Sequence, residues 1–312
     1  ELKYLSMKNN LAFEVFYLVL QIFGIFTISF ILLHLVPGDP ILVMLGESST
    51  ISDRVALRES LGLDQPLFQQ LYHSLRGIFQ GDFGVSIFSQ QPVAQLITEA
   101  IKNTYVLAIT SLMITLTFGL TAGFFAAKNQ GQWLDKWISN SSLFFISIPH
   151  FFLGPLLILL FSIFLGWLPV SGMSGFNSII LPALTLALGL LAVTIKMTRN
   201  CMVDLMNSDV VRTARAKGLS EWSVMIHHVF RLVLIPIVTL LGMQFGSLLS
   251  GAVITETIFS WDGIGKLLVD SIQTRDYPIT QACILLIATS YVCINFLTEI
   301  LYQFIDPRMR HS

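Results

Sequence analysis

Few side chains in this sequence have both the type and the placement that chemistry requires, and most of those lie beside long apolar runs. His34 and His150 fall in or near such runs, where a polar ring needs a partner and can border a pathway. Glu256 ends one run and Glu299 lies near the end of another, where a carboxylate either faces a route or hydrogen-bonds to a neighbouring turn. His150 and Glu256 are the two candidates for a substrate pathway. His227 and His228 are adjacent, so on a helix their rings diverge by about 100° and do not share a metal ion. Cys201, Cys283 and Cys293 fall in or beside apolar runs, which disfavours a disulfide framework. No metal site follows from this set.

Catalytic signatures are missing. The chain has no GxxxxGK[ST] phosphate cradle and no GxSxG, HExxH or CxxC. Gly263 and Gly265 make only a GxG with no strand before it, which is a turn. The expectation is a chain with no catalytic residue and no cofactor of its own.

The segment from Val210 to Pro236 carries the densest cations between two apolar runs, including Arg212, Arg215, Lys217 and Arg231. Such residues stay on the cytoplasmic side of a membrane. Gly218 permits a sharp change of direction. Beyond it, Leu219, Trp222, Met225, Ile226 and Val229 form an i, i+3, i+4, i+7 stripe that either inserts into a partner's groove or lies flat at the lipid interface.

The elements that position these residues are membrane helices. In 312 residues, 54% are hydrophobic, 12% are charged and the mean hydropathy is +0.73, more apolar surface than one soluble core covers. Runs able to cross about 30 Å of hydrocarbon begin near Val15, Thr104, Ile138, Ile179, Leu232 and Ile279, which predicts six helices. The first reads as a retained anchor rather than a removable signal. With the N-terminus inside, twelve of the eighteen Lys and Arg face the cytoplasm, so both termini lie inside and the outer segments are acidic. A net charge of −1 without a strongly basic surface excludes nucleic acid.

Between the first two helices, HLVPGDP turns the chain out of the membrane. An outer segment follows, with a short helix from Ser52 to Leu61, capped by Ser52 and stopped at Gly62, and a second carrying Leu67, Leu71, Leu75 and Ile78. Pro149 and Pro155 predict a kinked third span. A turn at Asp262 and Gly263 leads into another short outer helix.

In order along the chain, FILLHLVPGDP, GLDQPLFQQ, GDFGVS, LGWLPVSG, ILPALTLAL, VRTARAKGLSEWSV, LIPIVTLLGMQFG, ITETIFSWDGIGKLLVDSI and RDYP resemble the B-type permease subunit of peptide, glutathione and nickel ABC importers. The resemblance covers nearly the whole chain. It implies an all-α membrane protein of the type I importer architecture. Residues 1–13 would be a cytoplasmic N-terminus and 14–312 a single permease domain, with an outer segment at 41–102 and a cytoplasmic docking loop at 197–231. In this family the loop carries Glu-Ala-Ala followed by Gly and docks on the ATPase. Here Arg212, Thr213 and Ala214 stand at the Glu-Ala-Ala positions, Gly218 keeps the glycine, and Arg231 replaces a proline of more typical copies. In WDGIG, Asp262 stands where relatives often have proline.

The resemblance thus assigns ATPase docking to Arg212, Thr213, Ala214, Gly218, Leu219, Trp222, Met225 and Ile226. It implies a bacterial inner-membrane location and, besides the lipid bilayer, three kinds of partner: a second homologous permease, two ATPase subunits that bind ATP and Mg, and an extracytoplasmic solute-binding protein. Transport would be ATP-driven alternating access. The rival reading, an ion-coupled secondary transporter, calls for mid-span carboxylates and inverted repeats, neither of which is evident. A membrane enzyme is disfavoured by the missing signatures.

Overall fold

The computed structural model describes residues 2–35, 40–46, 49–60 and 62–305. The predicted turn at Pro37 and Gly38 and the side chains of His150 and Glu299 lie outside the described residues. Among those described, the α-helices are α1 (Leu2–Leu35), α2 (Pro40–Leu45), α3 (Ile51–Ser60), α4 (Leu67–Phe79), α5 (Val93–Lys128), α6 (Trp133–Ser147), α7 (His150–Leu157), α8 (Ile180–Met206), α9 (Asp209–Ala216), α10 (Glu221–Ser223), α11 (Arg231–Phe259), α12 (Ile264–Thr274) and α13 (Tyr277–Ile305). Wide π-helical turns extend α7 over Ile158–Phe164 and join α10 to α11 over Val224–Phe230.

Among the described residues, five helices are long and apolar enough to cross a membrane: Phe16–Leu35, Val93–Lys128, Phe176–Met206, Glu221–Gly246 and Tyr277–Thr298. The sixth predicted span is a sharply bent pair, Trp133–Ser147 with Phe151–Phe164. Pro149 explains the break: the residue before a proline is driven out of the helical region, and Ile148 is extended at φ −90°, ψ 122°. The expected kink is therefore a complete interruption. Helix α1 begins at Leu2, so the segment expected to precede the first span is helical from the outset.

The described residues divide into two compact units, those within 1–104 with 262–293, and those within 105–261 with 294–305. In the first, Val93, Ile97, Ile264, Ile279 and Cys283 are core residues. The short helix expected from Ser52 to Leu61 is present as α3, but the cap is Thr50 rather than Ser52. The Asp53 N–H donates to Thr50 Oγ1 at 3.2 Å and the Thr50 hydroxyl donates to Asp53 Oδ2 at 2.6 Å, a reciprocal cap at the first turn.

In the second unit, α6, α7 and α11 pack against α8. Helix α5 also lies close to α8, because Gly119 and Gly123 present no side chain: a Cβ at Gly123 would come within 2.6 Å of the Thr198 Cβ and 2.9 Å of the Ile195 carbonyl oxygen. Small residues four apart allow such backbone approach where the hydrophobic effect between membrane helices is absent.

Candidate functional site

The cation-rich segment folds into a short helical hairpin on the end of α8. Helix α9 ends at Ala216, Gly218 takes the left-handed conformation at φ +78°, and α10 starts after Ser220, whose hydroxyl accepts the Ser223 N–H at 3.4 Å. The direction change predicted at Gly218 is present, and a side chain there would be strained. A fork closes the hairpin: Arg215 Nε and Nη2 donate to Glu221 Oε1 and Oε2 at 2.7 and 3.0 Å. Two parallel bonds fix orientation as well as distance. The pair is solvent-exposed, so its effect is geometric rather than a large stabilisation.

The apolar stripe splits in two. Leu219, Trp222 and Ile226 keep 39, 48 and 37% of their surface exposed, whereas Met225 and Ala214 keep 4 and 3%. Met225, Ala214 and Val229 belong to the protein's own core with Met202, Val211 and Val233. A single 3.6-residue period cannot foresee this, because the backbone from Val224 to Phe230 is wound as a π-helix and carries Met225 and Val229 away from the expected face. Ala214 and Met225, expected to touch a partner, instead brace the loop from inside. Arg212 and Thr213 are exposed: Arg212 Nη1 lies 3.4 Å from Asp209 Oδ1, and the Thr213 hydroxyl donates to the Asp209 carbonyl at 2.8 Å.

Trp222 also seats the hairpin against α5. Its ring meets Phe124 edge-on at 5.5 Å, and Lys128 Nζ lies 4.3 Å above it, a cation–π contact. Beyond Lys128 the chain turns into α6, whose first turn carries the buried Asp135. Arg199 of α8 donates to both its oxygens, Nε to Oδ1 at 2.6 Å and Nη2 to Oδ2 at 2.7 Å. The carboxylate also accepts the Gly131 N–H at 2.8 Å and the Ser139 hydroxyl at 3.3 Å. Sequence reasoning missed this pair: its members are 64 residues apart, and only the acidic Asp135 in the first turn of α6 offered a signal.

The pathway candidates Glu256 and His150 stand on α11 and α7, two helices that pack against each other. Glu256 is fully buried in the last turns of α11, where its backbone carbonyl accepts the Trp261 N–H at 2.8 Å. It faces no open cavity in this conformation. His150 opens α7 directly after the break at Pro149. His34 serves a structural purpose: Nδ1 lies 2.9 Å from the Phe30 carbonyl oxygen and Nε2 3.2 Å from Gln70 Oε1, tying α1 to α4. It borders a cavity of about 590 Å3 with Phe30, Gln70, His73 and Tyr277. Among the described residues, no three His, Cys, Asp or Glu side chains gather as a metal site.

The family of binding-protein-dependent transport system inner membrane components matches residues 119–311, and the N-terminal family of such membrane components matches residues 7–108. The glutathione transport system permease protein GsiC of Escherichia coli K12 is 41% identical over 306 residues, covering 98% of this chain and all of that protein. GsiC of Shigella flexneri serotype 5b is 40% identical over the same length. Among solved structures, an inward-facing MetNI methionine ABC transporter aligns at a TM-score of 0.57 and 16% identity, over 68% of this chain and 97% of that one. An amino acid ABC transporter solved with histidines aligns at 0.53 and 15%, over 67 and 94%. At these identities the structures establish the fold.

Proposed function

The chain belongs to the family of inner-membrane components of binding-protein-dependent transport systems, the permeases of ABC importers, and on that premise we propose that it passes glutathione or short peptides across the bacterial inner membrane, driven through the 209–230 hairpin by ATPase partners. The observation that carries this reading is the exposed trio Leu219, Trp222 and Ile226, set between cations and braced from beneath by Ala214, Met225 and Val229. An apolar patch on a rigid base is what a partner's groove needs, because little ordering remains to be done on binding. A helix lying free at a lipid surface has no use for that internal support or for the Arg215–Glu221 fork.

In this reading both termini and the hairpin lie in the cytoplasm, with the segment at 41–102 outside. ATP and Mg are held by two ATPase subunits, and a second, homologous permease completes the pathway. A solute-binding protein delivers the substrate from outside. Closure of the ATPases displaces the hairpin, and α8 and α11, which flank it without a flexible linker, carry the displacement into the membrane. No covalent step falls to this chain.

The glutathione or peptide assignment rests on the name of relatives about 40% identical along their whole length. Reconstitution with the cognate binding protein and ATPases tests it: ATP-dependent uptake of glutathione or a di- or tripeptide is expected, and uptake of neither, with robust stimulation by another solute, overturns the substrate class. Co-purification of the ATPases in mild detergent is expected as well.

A further inference from the structure

We propose that Asp135 and Arg199 form a positioning pair that carries the motion of the hairpin into α5 and α6; this rests on the ATPase-docking reading above and deepens it. Arg199 lies two turns before the end of α8, which leads directly into the hairpin. Its guanidinium fork meets both oxygens of Asp135, and the remaining acceptor capacity of that carboxylate is taken by the Gly131 N–H and the Ser139 hydroxyl. The α5–α6 turn is therefore folded around the carboxylate that ties it to α8.

The same turn is held a second time. Lys128 covers the Trp222 ring on the hairpin itself, and Phe124 packs edge-on against both Trp222 and Phe230. Next to Arg199, Thr198 packs directly on Gly123, so α5 and α8 meet there without an intervening side chain from α5. The turn between α5 and α6 is thus gripped from α8 on one side of the loop and from α10 on the other. A bidentate fork transmits rotation as well as translation, whereas one apolar contact acts as a swivel. Burying an ion pair is a poor route to stability, since apolar residues of the same volume often do as well. The product of this arrangement is geometry: α5, α6 and α8 move with the hairpin as one body.

The test uses the complete transporter, permease with its ATPases and binding protein, reconstituted in vesicles, with uptake and ATP hydrolysis measured on the same preparation. Asp135→Asn removes the charge at constant size. Arg199→Lys keeps the charge and removes the fork. Uptake per ATP hydrolysed is expected to fall by about five- to tenfold in Asp135→Asn, at the lower end of coupling between sites, and by less in Arg199→Lys, with ATPase association unchanged. The exchange Asp135→Arg with Arg199→Asp is expected to recover at least part of the ratio. An unchanged ratio in both single variants overturns the proposal, as does a parallel loss of uptake, hydrolysis and permease abundance that the exchange fails to repair. Failure of the docking reading looks different, because ATPase binding would then survive Leu219→Glu whatever the ratio in Asp135→Asn.

Discussion

Asp135 and Asp276 are both buried carboxylates near the start of a long helix, and the two units of the molecule hold them by opposite means. Asp135 is met by a charged fork from another helix. Asp276 is held by neutral donors: the Ser86 hydroxyl at 2.5 Å, the Phe88 N–H at 3.2 Å and the Ile279 N–H at 3.4 Å in the first turn of α13. The second arrangement is a helix cap with a loop pinned to it, favoured by the positive end of the helix dipole. It locks one conformation. The first ties α6 to α8 through a stiff two-point link, so it suits transmission more than static stability.

That contrast is open to direct attack. Asp276→Ala leaves the buried Ser86 hydroxyl and the part-buried Phe88 N–H without this acceptor, and an unsatisfied buried group costs about 1–3 kcal/mol. A thermal melt of the detergent-solubilised permease is expected to show a marked loss of stability, larger than for Asp276→Asn, which keeps an acceptor. By contrast, Asp135→Leu combined with Arg199→Met replaces the ion pair with apolar volume and is expected to stay within about 1 kcal/mol of the parent in the same melt, with uptake per ATP impaired. Equal destabilisation at the two sites would erase the distinction. The smallest effect belongs to Arg215→Ala. Its fork with Glu221 is exposed, so no measurable change in the melt is expected, while the apparent affinity for the ATPase falls modestly. A clear loss of stability there would mean that the hairpin fold depends on the fork and not on its apolar base.

The sequence announced much of this through local signals. Apolar runs located the helices, and Pro149 marked an irregularity, although it took the extended backbone at Ile148 to turn a kink into a break. Cations and Gly218 identified the hairpin. What escaped depended on tertiary packing. Met225 follows the same apolar pattern as Trp222, and only the π-wound backbone sends one inward and leaves the other exposed. Ser52 and Thr50 are chemically alike as caps, and the helix start at Ile51 decides for Thr50. The partners of Asp135 and Asp276 are distant in sequence, at Arg199 and Ser86, so no periodicity points to them. Glu256 had the right depth for a pathway residue, yet the structure buries it completely.

The central claim is that Leu219, Trp222 and Ile226 form the surface that ATPase subunits grip, and co-purification of those subunits with a Leu219→Glu, Ile226→Glu permease tests it most directly. Both side chains are exposed in the permease alone, so the substitutions are expected to leave its membrane abundance and melting temperature intact. Loss of the ATPases from the purified complex, with the permease itself unchanged, is the predicted result. Full recovery of the ATPases at parental stoichiometry would contradict the account.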